Sequence, residues 1–236
     1  MSKTGFTSFG FNGFDQDLLK FMSQLKRNNN REWFNKNKSR YEETVLFPSL
    51  AFVEAFEPKL KKISPYFVAI PKRVGGSVMR IYRDTRFSKD KTPYKTNVGI
   101  HFRHEMGKDV HCPGFYLHLN PQECFLGAGI WHPDSDALKK IRAEIDGEQT
   151  KWKRARDNKK FRSMFELSGD SLKRKPRDYS DDHPLIDDLK RKDFIGLHEI
   201  EAKSITAPKF IENVASTFAA SKPLMRFICD ALRVPF

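Results

Sequence analysis

The chain has 236 residues, 39% of them hydrophobic and 21 of them Phe, which is enough apolar material to bury a substantial core. No run approaches the ~18–20 consecutive apolar residues of a membrane span, residues 1–6 lack the apolar stretch of a signal peptide, and three cysteines (Cys112, Cys124, Cys229) without metal spacing argue against a secreted disulfide scaffold. The net charge of +13 is clustered: residues 80–95 hold six Lys/Arg against two Asp, residues 148–177 hold eleven against four acids, and such fields attract phosphates, nucleic acid or acidic partners.

Residues 1–10 are read as a flexible N-terminus and residues 11–236 as a single domain, since no linker-like segment divides them. Asp15 is placed to cap a first helix whose stripe is Leu18, Phe21, Met22 and Leu25. Asn28, Asn29 and Asn30 break it, and a second helix starts near Arg31 with Phe34, Tyr41 and Val45 on one side. Pro48 suits the first turn of a continuation carrying Phe52, Phe56 and Leu60, and Pro58 is expected to kink or end it. The period then changes. Residues 78–83, 97–102, 115–120 and 124–131 read as strands, the last two joined as a hairpin through residues 120–123. Helices return with Asp134 or Ser135 as cap and Leu138, Ile141 and Ile145 inward. A basic helical stretch over 148–166, a short helix after His183-Pro184, a fifth strand at 194–201, a helix capped by Thr206 and a last one capped by Ser221 complete the chain. Strands grouped between helical regions give an α+β fold: a central, mainly antiparallel sheet of about five strands, helices packed on one face, and N- and C-terminal helices around it.

Side chains alternate across a strand, so parity divides the sheet into two faces. Met79, Ile81, Val98, Ile100, Phe102, Phe115, Leu117, Leu119, Cys124, Leu126, Ala128 and Ile130 form an apolar set. Arg80, Tyr82, Asn97, Gly99, His101, Tyr116, His118, Asn120, Phe125, Gly127, Gly129 and Trp131 form a mixed one. Aromatics, imidazoles and strand glycines together on the second face suggest a concave, aromatic-lined pocket there.

Between the first two expected strands runs R-I-Y-R-D-T-R-F-S-K-D-K-T-P-Y-K-T-N, residues 80–97. Guanidinium groups form forked, charge-assisted bonds to phosphate or carboxylate, so Arg80, Arg83, Arg86, Lys91 and Lys95, with few matching acids, are expected to hold an anion. Phe87 and Tyr94 can anchor the loop or stack on a ring, and Asp84 or Asp90 can orient the arginines or act as a base. The run resembles the hallmark of domain-of-unknown-function family 2461. Other stretches agree: Phe11-Asn12-Gly13-Phe14, Asn29-Asn30-Arg31-Glu32-Trp33-Phe34, Gly114-Phe115-Tyr116-Leu117-His118, Gly127-Ala128-Gly129-Ile130-Trp131 and Asp182-His183-Pro184. Arg177-Asp178 departs from the glycine found there in the family. The resemblance spans nearly the whole chain and implies one domain and a cytoplasmic location, but no activity.

The leading functional reading is a small-molecule site for a phosphate-bearing ligand, built from Arg80, Tyr82, Arg83, Arg86, Lys91, Tyr94, Lys95, Asn97, Tyr116 and Trp131. Asp84, His101 and His118 are its weak catalytic candidates, and whether it is an enzyme stays open. A nucleic-acid module using residues 80–95 and 148–177 together is the second reading. The third is a structural or interaction protein whose basic regions meet an acidic partner. No metal site or cofactor is read from the sequence, because no ligand set converges. No nucleotide, hydrolase or zinc-protease motif occurs either.

Overall fold

The computed structural model describes residues 11–107 and 111–236; the expected N-terminal segment 1–10 lies outside them. The first helix, α1 (Gln16–Arg27), starts where the Asp15 carboxylate accepts from the Asp17 amide, and it buries Leu18, Phe21, Met22 and Leu25. Asn30 caps α2 (Arg31–Lys36) by accepting from the Trp33 amide at 2.9 Å. A short α3 (Lys38–Tyr41) passes through a π turn at Glu42–Leu46 into α4 (Phe47–Ile63). Pro58 neither ends nor divides α4. Phe52, Phe56 and Leu60 are fully buried along its length, and that packing outweighs the backbone bond the proline removes.

The sheet contains β1 (Val98–Arg103), β2 (Gly114–Leu119), β3 (Cys124–Ile130), β4 (Glu166–Ser168) and β5 (Phe194–Ile200). The spatial order is β1-β2-β3-β5-β4, and every neighbouring pair is antiparallel. Between β3 and β4 the chain forms α5 (Ser135–Gly147), α6 (Gln149–Arg156) and α7 (Lys159–Met164). Asp134 caps α5 through the Ala137 amide. The expected single helix over 148–166 is divided at Asp157-Asn158, where Asn158 caps α7, and its last residue belongs to β4. A strand of three residues is too short to show an alternating pattern. The helix after His183-Pro184 is α8 (Ile186–Leu189), and α9 (Phe210–Ala220) and α10 (Lys222–Ala231) close the chain. Thr206 caps neither: it ends a 3-10 turn, donating its hydroxyl to the Lys203 carbonyl, and α9 starts at Phe210. Ser221 precedes α10 without a side-chain capping bond; its hydroxyl donates backward to Phe218.

Register bears out the two-faced sheet. Ile100, Phe102, Phe115, Leu117, Leu126 and Ile130 are buried against the helices, with the Phe56 ring 4.9 Å from Phe102 and Phe218 5.0 Å from Phe115. On the other face His101 lies opposite Tyr116, and Gly99 opposite His118, all except Gly99 partly exposed. Residues 78–83 are the exception. They make no continuous strand, only isolated bridges of Val78 to Ile100 and Tyr82 to Tyr94. Val78 therefore shares the apolar face, and the Met79 sulfur lies over Gly99 on the mixed face. A bend at Ile81 then restores that side chain to the core. Parity reasoning fails there because it assumes an unbroken pleat.

What fixes the following arm is a side chain acting as backbone. Asn29 donates Nδ2 to the Tyr94 carbonyl at 2.9 Å and accepts the Tyr94 amide on Oδ1 at 3.1 Å. The Tyr94 ring stacks on Phe34 of α2, centroids 4.1 Å apart at 22°, and is itself buried. Asn29→Ala would leave both Tyr94 backbone groups without their partner, at about 1–3 kcal/mol for each buried orphan. Asn30→Ala removes only an exposed cap, worth about 1 kcal/mol. In denaturant unfolding, the first variant should lose clearly more stability than the second. Equal losses would show that the clamp is not what holds the arm.

Candidate functional site

The signature run folds as a short two-stranded arm. The Arg83 amide donates to the Pro93 carbonyl at 2.9 Å and the Lys95 amide to the Ile81 carbonyl at 2.7 Å, on either side of the Tyr82–Tyr94 bridge. The loop between them satisfies much of its own charge. Arg83 donates to both the Asp90 carboxylate and the Thr92 hydroxyl. Asp90 also accepts the Thr92 amide at 2.9 Å. Arg86 forks onto Asp84 with bonds of 3.0 and 2.7 Å, and Lys91 donates to the Thr85 carbonyl at 2.9 Å. The expectation that Arg83 and Arg86 stand with few matching acids is thus corrected: each guanidinium has an aspartate of its own.

Those bonds fix the acids' protonation. The Arg86 side-chain bond, followed by the Arg86 amide, holds Asp84 down to about 2. The Thr92 amide, then the Arg83 guanidinium and the Thr92 hydroxyl, hold Asp90 to about 2. The Arg86 fork thus occupies both oxygens of Asp84 and makes it a weaker proton acceptor than a free carboxylate. Phe87 projects from the loop 96% exposed, with the Arg86 guanidinium 5.8 Å from its ring centroid, so it does not anchor the loop to the core.

Two clefts flank the arm. The larger, about 420 Å³, is lined by Lys26, Asn29, Arg83, Asp90, Thr92, Tyr94, Lys95, Thr96 and Asn97. The second, about 330 Å³, lies across Tyr94 and Arg83, with Tyr82, Thr85 and Pro93 of the arm and Arg31 and Asn35 of α2. In the larger cleft, Lys95 is the distinctive charge. It is partly buried, its ammonium is within ion-pair distance of no carboxylate among the described residues, and burial followed by repulsion from Arg80 lowers its pKa. Lys26 donates to Gln122 at 3.3 Å and is likewise unpaired with any acid among the described residues.

A polar chain leads from the cleft onto the sheet. The Asn97 side chain is close enough to act on the Tyr116 phenol, whose hydroxyl lies 3.1 Å from His118 Nδ1. His118 Nε2 is 3.7 Å from the Glu123 carboxylate, and its ring stacks on Phe125 at 4.6 Å. Burial pushes the Tyr116 phenol up to about 12, and burial lowers His118 against the opposing pull of Glu123. Gly99 is required here: a Cβ at that position would sit 2.7 Å from the Tyr116 hydroxyl oxygen. Strand glycines thus make room for neighbouring side chains and backbone, as Gly129 does against the Phe194 carbonyl at a φ of 142°.

The arm therefore brings together Arg83, Tyr94, Lys95 and Asn97 at one cleft and Tyr82, Arg83 and Tyr94 at the other. Arg80 stands beside them, close enough to act on Lys95 and Asp84. Arg86, Lys91, His101, Tyr116 and His118 line neither cleft, so the concavity lies at the edge of the mixed face and not over its centre. Trp131 does not join them. It follows the far end of β3, roughly 20 Å along the strand from Cys124, stacked near His111 with centroids 5.8 Å apart. Lys26 and Thr96 were not singled out from sequence. A lysine in the last turn of a helix is already explained by the helix dipole, so nothing in the pattern pointed to Lys26. Asn29 was legible only as part of a motif.

An α+β fold with a charged cleft between an N-terminal helix and a signature arm is the class of protein that these features define. The chain belongs to the family described as conserved hypothetical protein (DUF2461), whose model matches residues 17–227 and so includes α1, the arm, the sheet and most of α10. No curated protein and no solved structure matches it.

Because the folded values of Asp84 and Asp90 lie below the ordinary 3.8, their contribution to stability is complete above 3.8. It is lost as pH falls through about 2. The Thr92 amide resonance, bonded to Asp90, should therefore titrate with a midpoint near 2. A midpoint at 3.8 would mean that the loop is open in solution.

Proposed function

We propose that the protein binds a small phosphate-bearing anion in the cleft of Lys26, Arg83, Lys95, Thr96 and Asn97. The observation that carries this reading is Lys95: a partly buried ammonium lining the cleft with no carboxylate within ion-pair distance among the described residues, the cleft's one acid, Asp90, being held by Arg83 and Thr92. An anion there would relieve both the desolvation and the repulsion from Arg80. Arg83, already oriented by Asp90 and Thr92, offers its remaining donors without further ordering. The reading is a binding site. Asp90, the one acid lining the cleft, is held too acidic to serve as a base near neutral pH.

The test is Lys95→Met, which keeps most of the aliphatic stem and removes the charge. Without ligand the variant should be as stable as the parent or slightly more so. Inorganic phosphate, nucleotides and sugar phosphates are then screened by thermal melts. A ligand at 100 times its Kd adds about 2.7 kcal/mol, roughly 5–10 °C for a chain of this size. That shift should occur in the parent and vanish in Lys95→Met. A shift kept by the variant, or no shift with any member of the panel, overturns the assignment.

A further inference from the structure

The second basic region has a different organisation from the first. Between residues 149 and 165 there are seven Lys/Arg and a single acid, Asp157. Two of the seven are used internally: Lys151 pairs with Glu144 and Asp230, and Arg156 with Asp157 and Asp188. The other five, Lys153 and Arg154 on α6 and Lys159, Lys160 and Arg162 on α7, are all exposed. None is within ion-pair distance of a carboxylate among the described residues. Lys153 of α6 and Arg162 of α7 meet at one surface, since both act electrostatically on Asp157 at the junction of the helices. That acid is already held by Arg156 through bonds of 3.0 and 2.8 Å.

The helices carrying these charges are fixed from beneath. Trp152, Ala155 and Phe161 are buried, with the Trp152 ring 5.0 Å from Phe227 of α10 and 5.9 Å from Phe194 of β5. The apolar side is therefore consumed by the core, whereas a helix that lies in a membrane interface keeps its apolar side for the lipid. None of the five lines either of the two clefts. The α6 and α7 helices, of 8 and 6 residues, present cations along roughly 20 Å of helix. Within the arm, by contrast, Arg83 and Arg86 are each matched by an aspartate.

We propose that the α6–α7 surface binds the phosphate backbone of nucleic acid, independently of the cleft and without reading sequence. Extended arrays of exposed, uncompensated Lys and Arg on a rigid support suit a regular polyanion, where affinity comes from counterion release. Contacts of this kind position a protein on the backbone without distinguishing bases.

The test uses the full chain with a fluorescent 20-base-pair DNA duplex and a single-stranded RNA of equal length. Anisotropy is followed from about 50 to 200 mM salt. With about five phosphate contacts, the slope of log K against log salt should be about −4.5 for the duplex, a loss of about 500-fold over that range. Changing Lys159, Lys160 and Arg162 to Gln should reduce the slope by about 3. A control triple, Lys20→Gln, Lys38→Gln and Lys72→Gln, carries the same change in net charge and should leave the slope within about 1 of the parent's. Thermal melts of both triples verify that each is folded, and Lys95→Met should bind nucleic acid like the parent. Equal weakening by both triples would reduce the effect to bulk charge and overturn the proposal. So would absence of binding to either nucleic acid, including the case where vesicles rich in anionic lipid bind instead.

Discussion

The arrangement around Tyr94 is the constraint on which the candidate site depends. Residues 78–95 make only isolated bridges, so the arm has no continuous ladder to hold it against the sheet. The Asn29 amide replaces the missing strand by meeting both backbone groups of Tyr94. Phe34 adds a stacked ring, and Tyr82 packs against Tyr94 with centroids 5.4 Å apart. Asn29 sits between α1 and α2, where the same run of asparagines ends one helix and caps the next. One short segment thus terminates a helix, starts another and fixes the arm, which sets the distance between Lys26 and Lys95 across the larger cleft.

Charge is distributed in the molecule by two rules. In the loop over 83–92 it is self-satisfied: Arg83 with Asp90, Arg86 with Asp84, and Lys91 on a carbonyl. Exposed pairs of this kind contribute little to stability. Their effect is local order, since Asp90 also ties Thr92 to Arg83. Elsewhere charge is left open, at Lys95 beside the cleft and on the outer side of α6 and α7. Net charge alone does not separate these cases; only distances between cations and carboxylates do.

Packing on the mixed face explains why its residues are aromatic and imidazole rather than charged. Tyr116, His118 and Phe125 are only partly exposed and touch one another, so their polar atoms need internal partners. The Tyr116 hydroxyl and His118 Nδ1 provide them for each other at 3.1 Å, while His118 Nε2, 3.7 Å from the Glu123 carboxylate, makes no hydrogen bond among the described residues. Gly99, opposite His118, leaves the space into which the Tyr116 hydroxyl fits, whereas a Cβ at Gly127, opposite Tyr116, would make only ordinary contacts at 3.6 Å or more.

Much of this was legible in the residues themselves. The stripe of Leu18, Phe21, Met22 and Leu25, the caps at Asp15 and Asp134, and the alternation of Ile100 with His101 and of Leu117 with Tyr116 and His118 are local properties. Backbone geometry alone turns such patterns into elements and faces. The α+β class and the concentration of Arg and Lys over 80–95 followed in the same way. Other features rest on contacts between segments far apart in the chain. They include the unbroken α4 through Pro58, the three-residue β4 inserted beside β5, and the Val78–Ile100 bridge that puts Met79 over Gly99. The separation of Trp131 from Asn97 by the length of a strand and the joining of Lys26 to Lys95 are of the same kind. Sequence determined which faces are apolar and where charge is dense. Tertiary structure decided which charges are neutralised and which face a cleft, because an ion pair depends on angstroms of separation that no periodicity encodes.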